Sequence, residues 1–258
     1  MDTLDAKVNR EELETRVKEV YRDVAEKPEA EYHFEMGRGL AEKLGYPKED
    51  LDAIPAEAIK SFAGVGYHFD LADMKAGERV LDLGSGSGTD IFVAALKVGP
   101  RGEVIGVDMT DKQIEKAERL RASAGFANVK LEKSYIETLP FPDASFDVVI
   151  SNGVINLSSE KPKVCAEIRR VLKPGGRLAI SDIVSSRSLS ERIKSSAELW
   201  AACIGGAVPL WEYFSLIERS GMKLERVRDN LQYKFLTHDE VMDKYGIKSV
   251  SLLATKPA

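Results

Sequence analysis

Cysteine and histidine are scarce in this chain of 258 residues, which contains two cysteines, Cys165 and Cys203, and three histidines, His33, His68 and His238. Two cysteines are too few for a disulfide framework, and they lack the paired spacing of a zinc finger. The histidines are scattered along the sequence. We therefore expect neither a disulfide-stabilised domain nor a metal site.

Long apolar runs and an excess of positive charge are also missing. No apolar segment approaches the roughly 18 residues that a membrane-spanning helix needs. The formal net charge is −5, and no long basic run or aromatic RNA-binding signature occurs, so we expect no nucleic-acid partner. Residues 1–9 are charged and contain no apolar signal core, which favours a cytoplasmic protein.

The most informative stretch is residues 79–89, which reads R-V-L-D-L-G-S-G-S-G-T. Residues 80–83 form a short apolar run that is typical of a buried parallel strand. Glycines follow at alternate positions from Gly84, and residues 89–98 then have the pattern of a helix. A glycine turn between strand and helix lets the polar groups of a ligand approach the main chain and the positive helix N-terminus.

Two acidic residues accompany this turn. Asp82 lies in the apolar run, and Asp108 ends the next apolar run, 24 residues after Gly84. A carboxylate at the end of that second strand is able to accept hydrogen bonds from two ribose hydroxyls. A dinucleotide-binding turn would have a glycine where Thr89 stands, which disfavours a nicotinamide-dependent dehydrogenase. The alternative without a ligand is a tight strand-to-helix turn that Asp82 caps.

The middle of the chain alternates between strands and helices. Strands are expected at about 79–83, 103–108, 128–133, 146–151 and 177–183, and helices at about 89–98, 110–124 and 162–172. Thr110 and Gln113 have the spacing of a capping box at the start of the second helix. Residues 173–176 predict a sharp turn. This alternation predicts an α/β fold with a parallel sheet and helices on both faces.

The flanking segments depart from the alternation. An amphipathic helix is expected over residues 11–25. Later segments predict helices at 190–200 and 209–221 and strands at 222–228 and 247–255. We therefore divide the chain into an N-terminal helical extension (1–70) and a cofactor-binding domain (71–258), whose helical segment at about 186–220 is expected to form a lid or acceptor wall.

Five segments together carry a family resemblance. They are V-L-D-L-G-S-G-S-G from Val80, G-V-D-M-T from Gly106, L-P-F from Leu139, S-N-G-V-I-N-L from Ser151 and L-K-P-G-G from Leu172. They resemble class I S-adenosylmethionine-dependent methyltransferases over roughly residues 12–225. Within that class the sequence is most similar to the arsenite methyltransferase group, and ubiquinone/menaquinone C-methyltransferases are more distant. The resemblance implies a Rossmann-like, seven-stranded, mostly parallel sheet whose last strand returns antiparallel.

The resemblance also implies S-adenosylmethionine as the cofactor and S-adenosylhomocysteine as its product. The glycine turn would wrap the methionine and ribose parts of the cofactor. Asp82 would orient this turn or the amino group of the cofactor, Asp108 would hold the ribose hydroxyls, and Asn152 would face the methionine end.

The adenine ring is assigned in the same way. Met109 would pack on the ring, which Ile136 and Glu137 would flank. Gln113 is a further candidate contact, although its capping position explains it equally well. The cofactor residues that the resemblance implies are Asp82, Gly84, Ser85, Gly86, Gly88, Asp108, Met109, Gln113, Ile136, Glu137 and Asn152.

The sequence departs from the arsenite methyltransferase group at its thiolates. Members of that group bind As(III), a soft centre, with three cysteines. The positions that the resemblance assigns to them hold Val65, Gly153 and Cys203 here, and Cys165 matches none of the three. Either the acceptor brings its own thiols, as a glutathione-type arsenic conjugate would, or the acceptor is a different compound.

Cys203 and His68 are the candidate catalytic residues. Cys203 stands among small residues that leave room for a ligand or for a close helix contact, and a buried inert thiol is the alternative. His68 lies in a loop before the first strand and is a candidate base, with a solvated loop histidine as the alternative. Four aromatic residues of the helical segment fit either an acceptor pocket or the core: Trp200, Trp211, Tyr213 and Phe214.

The sequence therefore predicts an S-adenosylmethionine-dependent methyltransferase that acts on a small-molecule acceptor as a monomer or homodimer. A thiol-bound arsenical is one acceptor, and a quinone-like or other small organic ring, methylated on carbon or oxygen, is the alternative. A soft acceptor needs no protein base, whereas an oxygen or carbon acid usually does. A different class of function is also considered: a non-catalytic module that only binds S-adenosylmethionine.

Overall fold

The computed structural model describes residues 10–236 and 239–258. Seven strands form one sheet in the order β3-β2-β1-β4-β5-β7-β6. The strands are β1 (Arg79–Leu83), β2 (Glu103–Asp108), β3 (Val129–Lys133), β4 (Phe146–Asn152), β5 (Leu172–Val184), β6 (Lys223–Asp229) and β7 (Lys248–Thr255). Strands β1 to β5 pair in parallel, and β7 runs antiparallel to both of its neighbours. The expected Rossmann-like, mostly parallel sheet is confirmed.

Helices lie before the sheet and between its strands. Before β1 come α1 (Arg10–Glu26), α2 (Gly37–Leu44), α3 (Lys48–Asp52), α4 (Ala56–Lys60) and α5 (Phe69–Ala72). The crossovers between parallel strands contain α6 (Thr89–Val98), α7 (Asp111–Ala124) and α8 (Lys161–Val171), and α8 follows a 3-10 turn at Ile155–Leu157. A helical insertion before β6 holds α9 (Glu191–Lys194), α10 (Ala197–Ala201) and α11 (Leu210–Arg219), and α12 (Asp239–Tyr245) precedes β7. Within the described residues, no helix has both the length and the apolarity that a bilayer span requires.

Side chains of the central strand β1 alternate between two hydrophobic clusters because successive residues of a strand point to opposite faces. Val80 belongs to the cluster that contains Ile91 of α6, and Leu81 belongs to the cluster that contains Ile168 of α8. Helices therefore cover both faces of the sheet. Ile59 of α4 packs in the first cluster, so the N-terminal helices share a core with the sheet. The domain division near residue 70 stays a prediction.

The segment 173–176 is not the sharp turn that the sequence predicts. It lies within β5, where the pairing with β4 jumps from Leu172 to Arg177. Gly175 takes a φ of 75°, which favours glycine, and its N–H donates to the carbonyl of Lys256. The backbone thus remains in the sheet through an irregularity, because Lys256, the residue after β7, pairs with it on the other side.

The register of the central strands fixes where a ligand site can form. Leu83 at the end of β1 pairs with Val107 of β2 and with Ser151 of β4. The carboxyl ends of these three parallel strands therefore meet at one edge of the sheet, which is where open α/β sheets bind their ligands.

Candidate functional site

A cavity lies at the carboxyl edge of β1, β2 and β4. Every cofactor residue that the sequence predicts lines it, from Asp82 through the glycine turn to Asp108 and Asn152. The wall opposite the sheet edge comes from α1 through Leu13 and Val17. Most of the remaining lining comes from residues 61–64, 134–137, 153–154 and 157–159.

The glycine turn closes tightly at the floor of the cavity. Gly84 has a φ of 74°, and a Cβ built there would lie 2.4 Å from Val154. Gly88 has a φ of 106°, and a Cβ there would lie 2.7 Å from the ring of Phe92. A larger residue at either position would be strained and would also collide with a neighbour. The turn therefore requires glycine for its shape and leaves its main chain open to a ligand.

Asp108 is tied to this turn by two backbone amides. Its carboxylate accepts from the N–H of Gly86 at 3.0 Å and from the N–H of Thr110 at 2.8 Å. Burial raises the pKa of Asp108 above its ordinary value, while the amide hydrogen bonds act in the opposite direction. Asp108 thus holds the end of β2 against the glycine turn and presents a carboxylate to the cavity.

Asp82 and Ser85 carry buried polar atoms without a protein partner. Asp82 is 2 % exposed, and neither its Oδ2 nor the Oγ of Ser85 has a hydrogen-bond partner in the described part of the chain. Burial, followed by the nearby carboxylates of Asp90 and Asp108, raises the pKa of Asp82 well above its ordinary value. A buried carboxylate without a partner is costly, so this end of the cavity suits a ligand with cationic and hydrogen-bonding groups.

Gln113 does not form the capping box that its spacing predicts. The side chain of Thr110 makes no cap hydrogen bond. Gln113 instead accepts from the hydroxyl of Ser87 at 2.5 Å, and its Nε2 donates to the carbonyl of Tyr21 at 2.7 Å. Gln113 therefore joins the glycine turn to α1, a contact between residues 92 positions apart that local spacing cannot show.

Asn152 supports the loop before β1. Its Oδ1 accepts from the N–H groups of Val65 at 2.8 Å and Gly66 at 3.3 Å. Its Nδ2 lies 3.0 Å from the carbonyl of Gly66, the hydroxyl of Tyr46 and a carboxylate oxygen of Asp90. Asn152 lines the cavity, but these contacts occupy its polar atoms, and its predicted contact with the methionine end stays a prediction.

Two residues of this network, Asp90 and Tyr46, were missed by the sequence reasoning. Asp90 is buried in the first turn of α6 and accepts from the hydroxyl of Tyr46 at 2.6 Å. An acidic residue just after a glycine turn could have indicated that Asp90 belongs to the site. Tyr46 lies 44 residues earlier in a loop, and no local pattern marks it.

Helix α1 covers the cavity from outside the sheet. Leu13 and Val17 are buried in a small cluster with Trp200 of α10, so α1 rests on the helical insertion. Lys18 donates to Glu14 and to the hydroxyl of Tyr135, at 2.6 Å each, which joins α1 to the loop after β3. The predicted amphipathic helix is present, and its apolar stripe faces the site.

Cys203 lies directly behind the cavity wall. Its Sγ is 3.6 Å from the hydroxyl of Tyr21 and 3.8 Å from the carbonyl of Gly153, and both of these residues line the cavity. Burial raises the pKa of Cys203 to about 11. The small residues beside it serve close packing, because a Cβ at Gly206 would lie 1.9 Å from the carbonyl of Asn156.

His68 and the aromatic residues of the insertion lie elsewhere. His68 is fully buried, stacks on Phe69 at 4.8 Å and does not line the cavity, so it is not placed to act as a base there. Burial lowers the pKa of His68 below its ordinary value. None of the four aromatic residues of the insertion lines the cavity, which argues against the pocket alternative: Trp211 is 66 % exposed, and Tyr213 donates to Asp182 in the core.

Comparisons with known proteins agree with this geometry. A family model described as a methyltransferase domain matches residues 74–240. The arsenite methyltransferase of Halobacterium salinarum is 37 % identical over 222 residues, which cover 84 % of this chain and 56 % of that protein. The arsenite methyltransferase of Aquipseudomonas alcaligenes is 41 % identical over 66 % of this chain and 51 % of its own length. This chain thus spans about half the length of these curated relatives.

A solved structure gives the same result. The arsenic (III) S-adenosylmethionine methyltransferase CrArsM from Chlamydomonas reinhardtii superimposes with a TM-score of 0.68 at 33 % identity, over 82 % of this chain and 73 % of that one. The chain belongs to the methyltransferase domain family, and S-adenosylmethionine is its cofactor.

Proposed function

We propose that this methyltransferase transfers a methyl group from S-adenosylmethionine to As(III) that is held in part by thiols of its own carrier. The observation that supports this acceptor is the meeting of three positions beside the cavity. A Cβ at Gly153 would lie 3.2 Å from Val65, and the Sγ of Cys203 lies 3.8 Å from the carbonyl of Gly153. The positions that the resemblance assigns to thiolates are therefore neighbours, with one thiol remaining.

The cofactor fits the donor end of the cavity. We assign Asp108 and the main chain of the glycine turn, which line the cavity, to the ribose, and the apolar side chains of Met109 and Ile136 to the adenine. Asp82 and Ser85 have the buried polar atoms that an ammonium group and its neighbours would satisfy. When bound, S-adenosylmethionine supplies a methyl group that its sulfonium has already activated.

The protein aligns the reactants and excludes water. Helix α1 closes the cavity with Leu13, Val17 and Tyr21, while the sheet edge fixes the donor side. Holding two reactants in line and keeping water out lowers the barrier without a protein base. Among the described residues that line the cavity there is no lysine, histidine or arginine, so an acceptor with a proton to lose would need a carboxylate as its base, whereas a soft acceptor needs none.

Two measurements test the proposal. Isothermal titration with S-adenosylmethionine should show binding, and no binding up to millimolar concentration would contradict the donor assignment. Arsenic speciation after incubation with As(III), S-adenosylmethionine and a thiol should show methylated arsenic, and less of it without the thiol. Donor binding without any methylated arsenic would contradict the acceptor assignment.

An uncharged organic acceptor, such as a quinone-like ring methylated on carbon or oxygen, is the second candidate. Gly153 and Leu157 make the acceptor wall apolar, and Val65 lies directly behind Gly153 where a further thiolate would stand. Turnover of an organic acceptor but not of arsenic would establish this alternative. Donor binding without turnover of either acceptor would indicate a non-catalytic module.

We further propose that the protein acts in the cytoplasm as a monomer or homodimer, without a nucleic-acid partner. The acidic net charge of −5 supports the last point. Cell fractionation, light scattering and a nucleic-acid retention assay check the three expectations separately.

A further inference from the structure

All charged side chains that line the cavity within the described part of the chain are acidic. They are Glu14, Asp82, Asp90, Asp108 and Glu137. Two of these residues, Glu14 on α1 and Glu137 after β3, lie outside the glycine turn and the strands beside it. The negative charge is therefore not confined to the glycine turn.

Neutral groups satisfy most of these carboxylates. Asp108 accepts from backbone amides, Asp90 from Tyr46 and Asn152, and Glu137 from the hydroxyl of Ser158. Among ion pairs between described residues, only Glu14 of this group is joined to a cation, Lys18. Asp82 is almost completely buried, and its Oδ2 has no hydrogen-bond partner among the described residues. Asp90, Asp108 and Glu137 thus have no ion-pair partner among the described residues, although the buried ammonium of Lys161 acts on Glu137, and burial favours the neutral form of Asp82.

This arrangement has a consequence for any second ligand. Charges interact strongly in a cleft with apolar walls, because little water screens them. S-adenosylmethionine carries a sulfonium, an ammonium and one carboxylate, and so adds one net positive charge. The cavity stays negative after the donor binds.

We propose that the acceptor enters this cavity uncharged, and that its carrier is a neutral thiol chelate of As(III). An anionic conjugate of the glutathione type, which brings additional carboxylates, would be repelled. This inference rests on the proposed function for the identity of the metalloid, whereas the charge selection rests on the lining alone.

The experiment compares two arsenic chelates that differ by one charge. As(III) is complexed with dimercaprol, a neutral dithiol, or with its sulfonate analogue, dimercaptopropanesulfonate. Binding to the protein loaded with S-adenosylhomocysteine is measured by isothermal titration, and methyl transfer is measured with S-adenosylmethionine. We expect the neutral chelate to bind about tenfold more tightly, and the difference to shrink as salt screens the charges. Equal binding of both chelates would overturn the inference.

Two variants test which residue causes the preference for the neutral chelate. Glu137→Gln keeps an oxygen that can accept from Ser158 while it removes the charge, so the preference for the neutral chelate should fall by about threefold. Glu118→Gln is the matched control, because Glu118 lies on α7 outside the cavity and pairs with Arg121. An unchanged preference in Glu137→Gln, or the same fall in Glu118→Gln, would also contradict the inference.

Failure of the arsenic assignment can be told apart from failure of the charge selection. If neither chelate binds, the arsenic acceptor is wrong, and the same binding comparison is made with naphthoquinone and its sulfonate. Tighter binding of the neutral quinone would support charge selection for an organic acceptor. Equal binding, or no binding of the neutral quinone, would overturn it.

Discussion

The two halves of the cavity are built differently. The donor half consists of residues at the ends of strands or directly after them, such as Asp82 in β1, the glycine turn from Gly84, and Asp108 in β2. The acceptor half is assembled from α1, residues 61–64 and residues 153–154 and 157–159, which lie far apart in the chain. Short-range geometry shapes the first half, and long-range contacts shape the second.

This difference predicts separate responses to mutation. A change in the donor half should weaken cofactor binding and leave the acceptor wall in place. A change in the contacts that hold the acceptor loops should alter turnover with little effect on the donor. The following substitutions test that separation, from the largest expected effect to the smallest.

Asp108→Ala should weaken S-adenosylmethionine binding roughly 100-fold, since hydrogen bonds to a charged group contribute about 1.5–3 kcal/mol each. The substitution also frees the amides of Gly86 and Thr110. Asp111→Ala is the control, because Asp111 pairs with Lys133 on the surface. Isothermal titration measures both dissociation constants, and a loss below about threefold for Asp108→Ala would contradict its role.

Asn152→Ala should lower kcat/KM for the acceptor by about 30-fold, while the dissociation constant for the donor changes less than about threefold. The loop at Val65 and Gly66 loses its side-chain anchor in this variant. Asn128→Ala is the matched control, because Asn128 bonds the carbonyls of Ala95 and Gly99 away from the cavity. Equal losses of donor and acceptor affinity would show that the halves are not separable.

Cys203→Ser should reduce arsenic methylation by about tenfold, because oxygen is a poorer ligand than sulfur for a soft centre. Cys165→Ser is the control, since Cys165 is also a buried thiol but lies on α8 outside the cavity. Arsenic speciation measures the product, and thermal melts correct for any shared loss of stability. Equal activities of the two variants would show that Cys203 does not bind the acceptor.

Asp82→Asn should raise the melting temperature by about 2–4 °C at pH 7 while it abolishes tight donor binding. The folded-state pKa of Asp82 is raised by burial and by Asp90 and Asp108. The native protein therefore binds more protons than the unfolded chain, and stability falls as pH rises from the unfolded pKa of about 3.9 towards the folded one. The difference in melting temperature should vanish as the pH approaches 4, and a lower melting temperature at pH 7 would contradict the prediction.

The residues that the sequence assigns to the cofactor line one cavity because their signals are local. A buried strand, a glycine turn and an acid at the next strand end occur in fixed order, and the parallel register brings them together. The sheet followed from the same alternation. The exception is Gln113, whose spacing matched a helix cap but whose partners, Ser87 and Tyr21, lie on other elements.

The acceptor half could not be predicted in the same way. Helical periodicity in residues 209–221 does not tell which side faces a cavity, and Trp211 is exposed while Tyr213 is in the core. His68 stands in a loop by sequence, yet tertiary packing buries it completely. The small residues near Cys203 indicated space, whereas Trp200 fills that space.

The contact between positions 65 and 153 affects the order in which cysteines at these two positions can be gained or lost in evolution. Gly153 has a φ of 74°, and any Cβ there would press on a methyl group of Val65 at 3.2 Å. A cysteine at 153 is therefore tolerated better after Val65 has become an unbranched residue than before. The two changes are non-additive, so selection would favour one mutational order over the other.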